Sequence, residues 1–201
     1  MDYKSFKMSS VINKLKAAKI NKTSELIDEN IMLVRVLGAA AFLVMFQAYL
    51  VAPLIPALTR SFHTSQSLMG LAIPAFTIPY GISSLFYGPI SDRFGRKVII
   101  LNLLAFLSIS TILLALCNTA IEFLVIRGLI GVATGGIVPI SVALMGDIYP
   151  YEKRGKPIGL LFSCIAGGMA FGSTLGAYLN PIIGWPKEFV ITGILSSILF
   201  L

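Results

Sequence analysis

One arginine, Arg127, lies inside a long apolar stretch that runs from about Ala120 to Met145. An ionisable side chain in such a stretch is costly and is a candidate for a functional site. Gln47 and Tyr49 lie in an earlier apolar stretch, Gln47 at a comparable depth. We predict that Arg127 lines a polar cavity near these two side chains and contacts an anionic or polar ligand, or a carboxylate. The alternative is an arginine that binds backbone carbonyls or extends its charged end to the surface.

A second group of chemically active residues forms a short, mostly basic segment between two apolar stretches. Asp92 and Arg96 are four residues apart, which allows an ion pair if the turn between them is helical. Gly88 allows another helix to approach closely, and Gly95 allows a tight turn. The alternative is a basic loop that only sets membrane orientation. The residues of this segment are Gly88, Asp92, Arg93, Gly95, Arg96 and Lys97.

Three glycines recur at four-residue spacing: Gly168, Gly172 and Gly176. This spacing places them on one helix face and is typical of close helix packing in membranes. We therefore predict that they pack against another helix.

The sequence offers little to an enzyme or a metal site. It has 2 cysteines and 1 histidine, which exclude a disulfide framework or a zinc cluster within the chain. We find no phosphate-binding loop, no metalloprotease motif and no Ser-His-Asp set, so we expect no enzyme activity and no cofactor.

The elements that position these residues are apolar helices. The composition is 56% hydrophobic and 12% charged, against about 25% charged in an ordinary soluble domain. A membrane-spanning helix needs about 20 apolar residues, which five stretches supply and a sixth begins to supply. We predict an all-α membrane protein with spans near Ile31–Leu58, Leu68–Gly88, Val98–Leu116, Ala120–Met145 and Ile158–Leu179, and a sixth from Phe189 that is truncated at Leu201.

The basic residues are divided unequally between the two sides of these spans. Thirteen of the 16 Lys and Arg residues fall on the side of the N-terminus and two on the other, with Arg127 inside a span. The positive-inside rule then places the N-terminus in the cytoplasm. We predict a basic cytoplasmic segment over 1–30, a transmembrane domain over 31–201, and no nucleic-acid partner for the net charge of +7.

These motifs resemble those of the major facilitator superfamily, in its twelve-span branch of drug and arabinose-efflux-like permeases. The segment Gly88–Lys97 is similar to the family's signature loop after the second span. The antiporter glycine motif of this branch normally has a proline where this chain has Ser173. Further resemblances are Pro53-x-x-Pro56, Arg127-x-x-x-Gly131, Asp147-x-Tyr-Pro150-x-Glu152-x-Arg154-Gly155 and Gly184-Trp185.

The resemblance implies the N-terminal six-helix half of this fold, with two inverted three-helix repeats and a substrate near the midplane. It also implies that Asp92, Arg96 and Asp147 form a cytoplasmic charge cluster that holds the outward-facing state. The expected partners are lipid, a small-molecule substrate, protons and a C-terminal half beyond Leu201. We find no embedded carboxylate, so a proton-carrying group would be Glu122 or lie in that second half.

The resemblance therefore predicts ion-driven efflux across the inner (plasma) membrane. An uptake symporter is the alternative within transporters. A truncated remnant or a non-transporting partner subunit is the alternative outside them, since the sequence stops within its sixth span.

Overall fold

In the computed structural model, the backbone is described for residues 3–200 and the side chains for residues 31–199. Among residues 3–200 the regular elements are α-helices and one 3₁₀ turn, Tyr151–Lys153. The all-α prediction is thus confirmed for this part of the chain. The helices are α1 (Tyr3–Ser61), α2 (Gln66–Gly70), α3 (Ala72–Phe94), α4 (Arg96–Leu114), α5 (Ala120–Thr134), α6 (Ile137–Ile148), α7 (Gly155–Ile183) and α8 (Trp185–Phe200).

In the part of the chain that the structure describes, five helical stretches are long and apolar enough to cross a membrane: Ile31–Ser61, Gln66–Phe94, Arg96–Leu114, Ala120–Ile148 and Gly155–Ile183. The sixth helix, α8, has 16 described residues. It is about 24 Å long, against about 30 Å for the bilayer core. The predicted start of this helix at Phe189 is wrong by one turn, because α8 begins at Trp185.

The chain divides into two compact units, Met1–Arg35 and Val36–Leu201. The predicted basic cytoplasmic character of segment 1–30 concerns side chains outside the described ones and stays a prediction. All the sites below lie in the second unit.

Two pairs of consecutive helices in the described chain are separated by a single residue, which forms the turn between them. Gly95 separates α3 from α4 with a φ of 93°, and Gly184 separates α7 from α8 with a φ of 80°. Residues with a Cβ rarely adopt this conformation, which explains the glycine at both turns. The two turns are equivalent points of two successive three-helix units.

The helix pairing has the same internal symmetry. α3 packs on α5, and α4 packs on α8. Glycines of α7 lie against the backbone of α1. The first unit comprises α1, α3 and α4, and the second comprises α5–α6, α7 and α8. If the two units are exchanged, the α3–α5 pair becomes the α7–α1 pair, and the α4–α8 pair stays the same. This arrangement agrees with the predicted pair of repeats.

The fourth span is not one continuous helix. It was expected as a single stretch, but α5 ends at Thr134 and α6 begins at Ile137. Pro139 has no N–H to donate to the Gly135 carbonyl four residues earlier, and its ring disfavours that position of a helix. The break itself falls at Gly135 and Gly136, the two glycines that lie just before this proline.

Four aromatic rings gather where α1 ends and where α5 and α8 begin. Phe123 lies 5.9 Å from Phe62, 6.2 Å from Trp185 and 5.8 Å from Phe189 between ring centroids. The indole N–H of Trp185 also donates to the Ser61 hydroxyl at 2.9 Å. These contacts fix the first turn of α8 against the ends of two other helices.

Candidate functional site

Arg127 is completely buried and joins three helices. It lies about 10 Å along α5, counted from the start of the helix at Ala120. Its guanidinium donates to the carbonyl oxygens of Gln47 at 3.3 Å, Ala48 at 3.4 Å and Ala72 at 3.4 Å. The side chain has no exposed surface. One residue of α5 thus binds the backbones of α1 and α3.

The surroundings of Arg127 satisfy a cation without an acidic partner. Its Cζ atom lies 4.6 Å from the centre of the Phe76 ring, which gives a cation–π contact. Among the described side chains no carboxylate lies within ion-pairing distance of it. In this structure Arg127 therefore binds backbone carbonyls, which was the alternative interpretation of the sequence.

Gln47 and Tyr49 were predicted as neighbours of Arg127, and only one of them is in contact with it. Gln47 is 1% exposed, and its side-chain oxygen accepts a hydrogen bond from Thr111 at 3.3 Å. Its amide nitrogen has no hydrogen-bond partner among the described residues. Tyr49 is 45% exposed and is not among the hydrogen-bond partners of Arg127.

The second site is a charge cluster built around Arg96. Its Nη2 lies 2.9 Å from Oδ1 of Asp92, and its Nη1 lies 2.6 Å from Oδ2 of Asp147. The carboxylates are 61% and 59% exposed. Arg96 itself is partly exposed, at 21%. Exposed pairs contribute about 0.2–1 kcal/mol each, so the exposed carboxylates can leave the cluster at low cost.

The segment that carries this cluster is helical rather than a loop. α3 extends to Phe94 and α4 begins at Arg96, so that only Gly95 is outside a helix. Asp92 therefore lies in the last turn of α3, within reach of Arg96. Arg93 lies with its Cζ 5.6 Å from the ring of Phe94.

We expected another helix to pack closely against Gly88, but no helix does so within the described part of this chain. No described atom lies within 4 Å of the position that a Cβ would occupy there. Lys97 forms no ion pair among the described residues. Any contact of Gly88 with another helix remains a prediction.

Arg154, which the sequence placed only within a family motif and without a role, is a positioning residue. It donates to the carbonyl oxygens of Tyr149, at 2.7 Å, and of Gly146. These carbonyls belong to the C-terminal end of α6, where a helix has unpaired acceptors and carries a partial negative charge. Arg154 thus fixes the turn that presents Asp147. Its position a few residues after a predicted helix end was the available signal.

The three glycines of α7 face α1. A Cβ at Gly168 would overlap the carbonyl oxygen of Phe42, and one at Gly172 would overlap that of Phe46. At Gly176 a Cβ would lie 2.9 Å from the carbonyl oxygen of Leu50. Their missing side chains therefore allow the two helices to lie in backbone contact.

One carboxylate, that of Glu188, is buried within the protein, although none was expected inside a span. Glu188 was counted with the outer loop, but it lies one turn into α8 and is 3% exposed. Glu122, the alternative proton carrier, is instead part of a capping box with Thr119 at the start of α5. This burial was not foreseen, because the helix that carries Glu188 begins at Trp185 rather than at Phe189.

The described part of the chain contains no cluster of side chains that could bind a metal ion. No group of three or more His, Cys, Asp or Glu side chains lies close enough there to hold an ion. What the described sites can do is bind polar groups within an apolar helix assembly and form or break an ion-pair cluster at one end.

Comparison with known proteins identifies the group to which this assembly belongs. Residues 37–201 match the family model of the Major Facilitator Superfamily. The chain belongs to this family. The family consists of multi-pass membrane transporters rather than enzymes, which agrees with the apolar helices described above.

Several members of the Major Facilitator Superfamily are similar in sequence. Multidrug resistance protein 2 of Bacillus subtilis is 36% identical over 131 residues, which are 65% of this chain and 32% of that protein. The staphyloferrin B transporter of Staphylococcus aureus is 31% identical over 156 residues, 75% of this chain and 37% of that protein. The chain thus spans less than half the length of these relatives.

The fold also matches solved structures of the superfamily. The inward-open structure of the xylose transporter XylE from E. coli has a TM-score of 0.73 at 19% identity, over 85% of this chain and 46% of that chain. This match confirms the predicted fold class, a six-helix half of the major facilitator fold.

Proposed function

We propose that this chain forms the N-terminal half of a secondary active transporter that exports a small polar or drug-like molecule. Two halves rock around a central site by alternating access, driven by an ion gradient and most simply by protons. The observation that carries the proposal is the bridging of Asp92 and Asp147 by Arg96. One arginine thereby links the end of α3 to the end of α6, across two three-helix units that must move with or against a second half.

The exposure of the two carboxylates supports a switching role for this cluster. Asp92 and Asp147 are each more than half exposed, so they can exchange Arg96 for a group on another domain. A buried ion pair would resist such an exchange, because separating it leaves charges unpaired. Gly88, Arg93, Gly95 and Lys97 complete the segment by their position in it.

The names of two relatives support a small-molecule substrate. One is called a multidrug resistance protein and the other a staphyloferrin B transporter. We extend this to the present chain as export of a small molecule, with antiport of protons as the coupling. The second half, like the substrate, is part of the proposal.

Membrane orientation follows from the distribution of basic residues. We place the N-terminus and the Arg96 cluster in the cytoplasm, in a plasma (inner) membrane, because most Lys and Arg residues lie on that side. We assign 1–30 as a basic cytoplasmic segment and 31–201 as the transmembrane domain.

Arg127, Gln47 and Tyr49 remain the candidates for the substrate cavity. Tyr49 is exposed enough to touch a ligand directly, while the amide nitrogen of Gln47 is buried and has no hydrogen-bond partner among the described residues. Arg127 would then act by holding the α1 backbone beneath these two side chains. The α7 glycines also position α1, because they allow α7 to pack against it. These glycines are Gly168, Gly172 and Gly176.

The test is a transport assay on the full-length protein with Arg96→Gln and Asp147→Asn. A panel of fluorescent compounds is followed in expressing cells at two external pH values. Both variants are expected to lose export while remaining in the membrane at wild-type amounts. Lys153→Gln is the matched control, since Lys153 is basic, lies close in sequence and forms no ion pair among the described residues. Export at the wild-type rate by Arg96→Gln would refute the switching role.

A further inference from the structure

A groove of about 320 Å³ lies between α1, α7 and α8. Each helix lines it with residues about four apart in sequence, which form a row along one helix face. The α7 row runs from Phe171 to Ile183, and the α8 row includes Ile191 and Leu195. Arg127 is not among the described residues that line the groove, so the groove is separate from the site around that arginine. The α1 row includes Phe42, Phe46 and Leu50.

The surface of this groove is almost entirely apolar. The lining residues with polar side chains are Glu188 and Thr192, which are 3% and 2% exposed. Both carboxylate oxygens of Glu188 are enclosed, without a hydrogen-bond partner among the described residues. The Thr192 hydroxyl donates to the backbone carbonyl of Glu188 at 2.8 Å. Neither side chain therefore presents a polar group to the groove, which favours a hydrocarbon ligand.

The size of the groove distinguishes a hydrocarbon chain from a helix. The α7 row from Phe171 to Ile183 is about 18 Å long. At this length, a volume of 320 Å³ gives a mean cross-section of about 18 Å². Such a passage is about 5 Å wide, slightly more than the contact distance of about 4 Å between carbon atoms. A helix is about 10 Å across and has a cross-section of about 80 Å². The groove therefore fits a single hydrocarbon chain and excludes a further helix.

The position of the groove suits one leaflet of a bilayer. Its α7 row ends at Ile183, just before α8 begins at Trp185. From this end the row extends for about 18 Å, against about 15 Å for half of a bilayer core. Phe171 and Ile191 in its walls are 56% and 48% exposed, so the groove opens to the apolar surface of the helices. In a membrane that surface is surrounded by acyl chains.

A basic residue stands at the end of the groove beside the turn from α7 to α8. Lys187 precedes Ile191 by four residues, so it continues the α8 row by one turn. It is exposed and forms no ion pair among the described residues. An ammonium group beyond the end of an apolar groove is complementary to a phosphate that is joined to a hydrocarbon chain.

We propose that the α1–α7–α8 groove binds an acyl chain of a membrane phospholipid whose phosphate group pairs with Lys187. The chain lies along the α7 row, in the leaflet on the side of the α7–α8 turn. In the orientation proposed above, this is the outer leaflet. The chain fills the space that α8, which packs mainly on α4, leaves beside the α1–α7 pair.

The test is photolabelling of the purified full-length protein in detergent. The probe is a phosphatidylglycerol with a diazirine in one acyl chain, and labelled peptides are located by mass spectrometry. The wild type is expected to be labelled saturably in the α7 row and around Ile191. Leu175→Trp fills the groove and should reduce this labelling by about tenfold or more. Leu160→Trp is the matched control and should leave it unchanged, since Leu160 lies on α7, is 45% exposed and does not line the groove.

A second probe tests the role of Lys187. A diacylglycerol with the same photoactivatable chain lacks the phosphate. Lys187→Gln should raise the phosphatidylglycerol concentration for half-maximal labelling by about fivefold and leave that for the diacylglycerol unchanged. Lys156→Gln, near the other end of α7, is the control and should change neither. The measurements are made without a gradient, so their outcome is independent of the proposed export.

Three results would overturn the proposal. Labelling that does not saturate and spreads evenly over the exposed helix faces would indicate only bulk lipid. An unlabelled groove in the wild type would mean that the second half covers it. Equal labelling of the wild type and Leu175→Trp would exclude the groove as the binding site. If Leu175→Trp does not fold, Ile191→Trp fills the groove from α8 and must reduce the labelling to a similar extent.

Discussion

Replacement of Arg127 tests how a buried cation is held between helices. We predict that the conservative variant Arg127→Lys is less stable than the neutral variant Arg127→Met. The guanidinium spreads its donors over the carbonyls of two helices and stacks on Phe76. A lysine keeps the charge, but its single ammonium cannot reach these positions together. A methionine keeps much of the packing and removes the charge.

The magnitudes follow from the observed contacts. Arg127 makes three interhelical hydrogen bonds and one cation–π contact. An interhelical hydrogen bond in a bilayer is worth about 0.6 kcal/mol, and a cation–π contact about 1 kcal/mol. Lysine retains about one bond and so loses about 2 kcal/mol. Methionine loses about 3 kcal/mol of contacts but avoids an insertion penalty of about 2.5 kcal/mol for the charge. It should remain within about 1 kcal/mol of the wild type.

The assay is reversible unfolding of the full chain in mixed micelles, followed by circular dichroism. Ligand affinity is measured in the same preparations. If Arg127 meets an anionic substrate directly, Arg127→Met loses affinity while its stability is kept, and Arg127→Lys retains part of the affinity. If Arg127 only holds the α1 backbone, affinity follows stability in both variants. The reasoning is refuted if the lysine variant is as stable as the wild type and the methionine variant is destabilised by 2 kcal/mol or more, about the loss estimated for lysine.

Two further predictions concern packing and thiol chemistry. Gly172→Ala should lower the free energy of unfolding by about 1–3 kcal/mol, because its Cβ would overlap the Phe46 backbone of α1. Gly159→Ala, in open space on the same helix, should be neutral or slightly stabilising in the same unfolding measurement, and equal effects would contradict the packing. Burial raises the pKa of the Cys117 thiol to about 11, with the Glu122 charge adding to the shift. The thiol therefore stays protonated until the pH nears 11. In the Cys164→Ser variant, maleimide labelling of Cys117 should be slow at pH 8–9 and fast only after unfolding. Rapid labelling of the folded protein would contradict this.

Much of the helical framework was predictable because hydrocarbon allows few alternatives. An apolar run of about 20 residues in a bilayer must satisfy its own backbone hydrogen bonds, which selects a helix. The errors lie at helix ends and breaks. The sixth helix starts earlier than the apolar run suggests, and its first residue, Trp185, packs against Phe62 and Phe123 at the ends of α1 and α5. The break before Ile137 lies at two glycines and close to a proline, which hydropathy does not register.

The Arg96 cluster shows what spacing can and cannot predict. The four-residue separation of Asp92 and Arg96 made their pairing foreseeable once the turn is helical. The contact of Arg96 with Asp147 was expected only from the family resemblance, because it joins helices that are distant in the chain. The capping of α6 by Arg154 was not foreseen.

The sequence by itself determined the class of protein, the number of apolar spans, the glycine faces and the position of one cation within a span. Each of these depends on residue types within one segment and on the absence of water around it. Tertiary structure alone decided what that cation contacts and which carboxylate is embedded. Arg127 rests on carbonyls that carry no sequence signal, since every residue has one. Glu188 and Glu122 look alike in sequence, and only the packing of α8 against its neighbours separates a buried, unpaired carboxylate from a capped, exposed one.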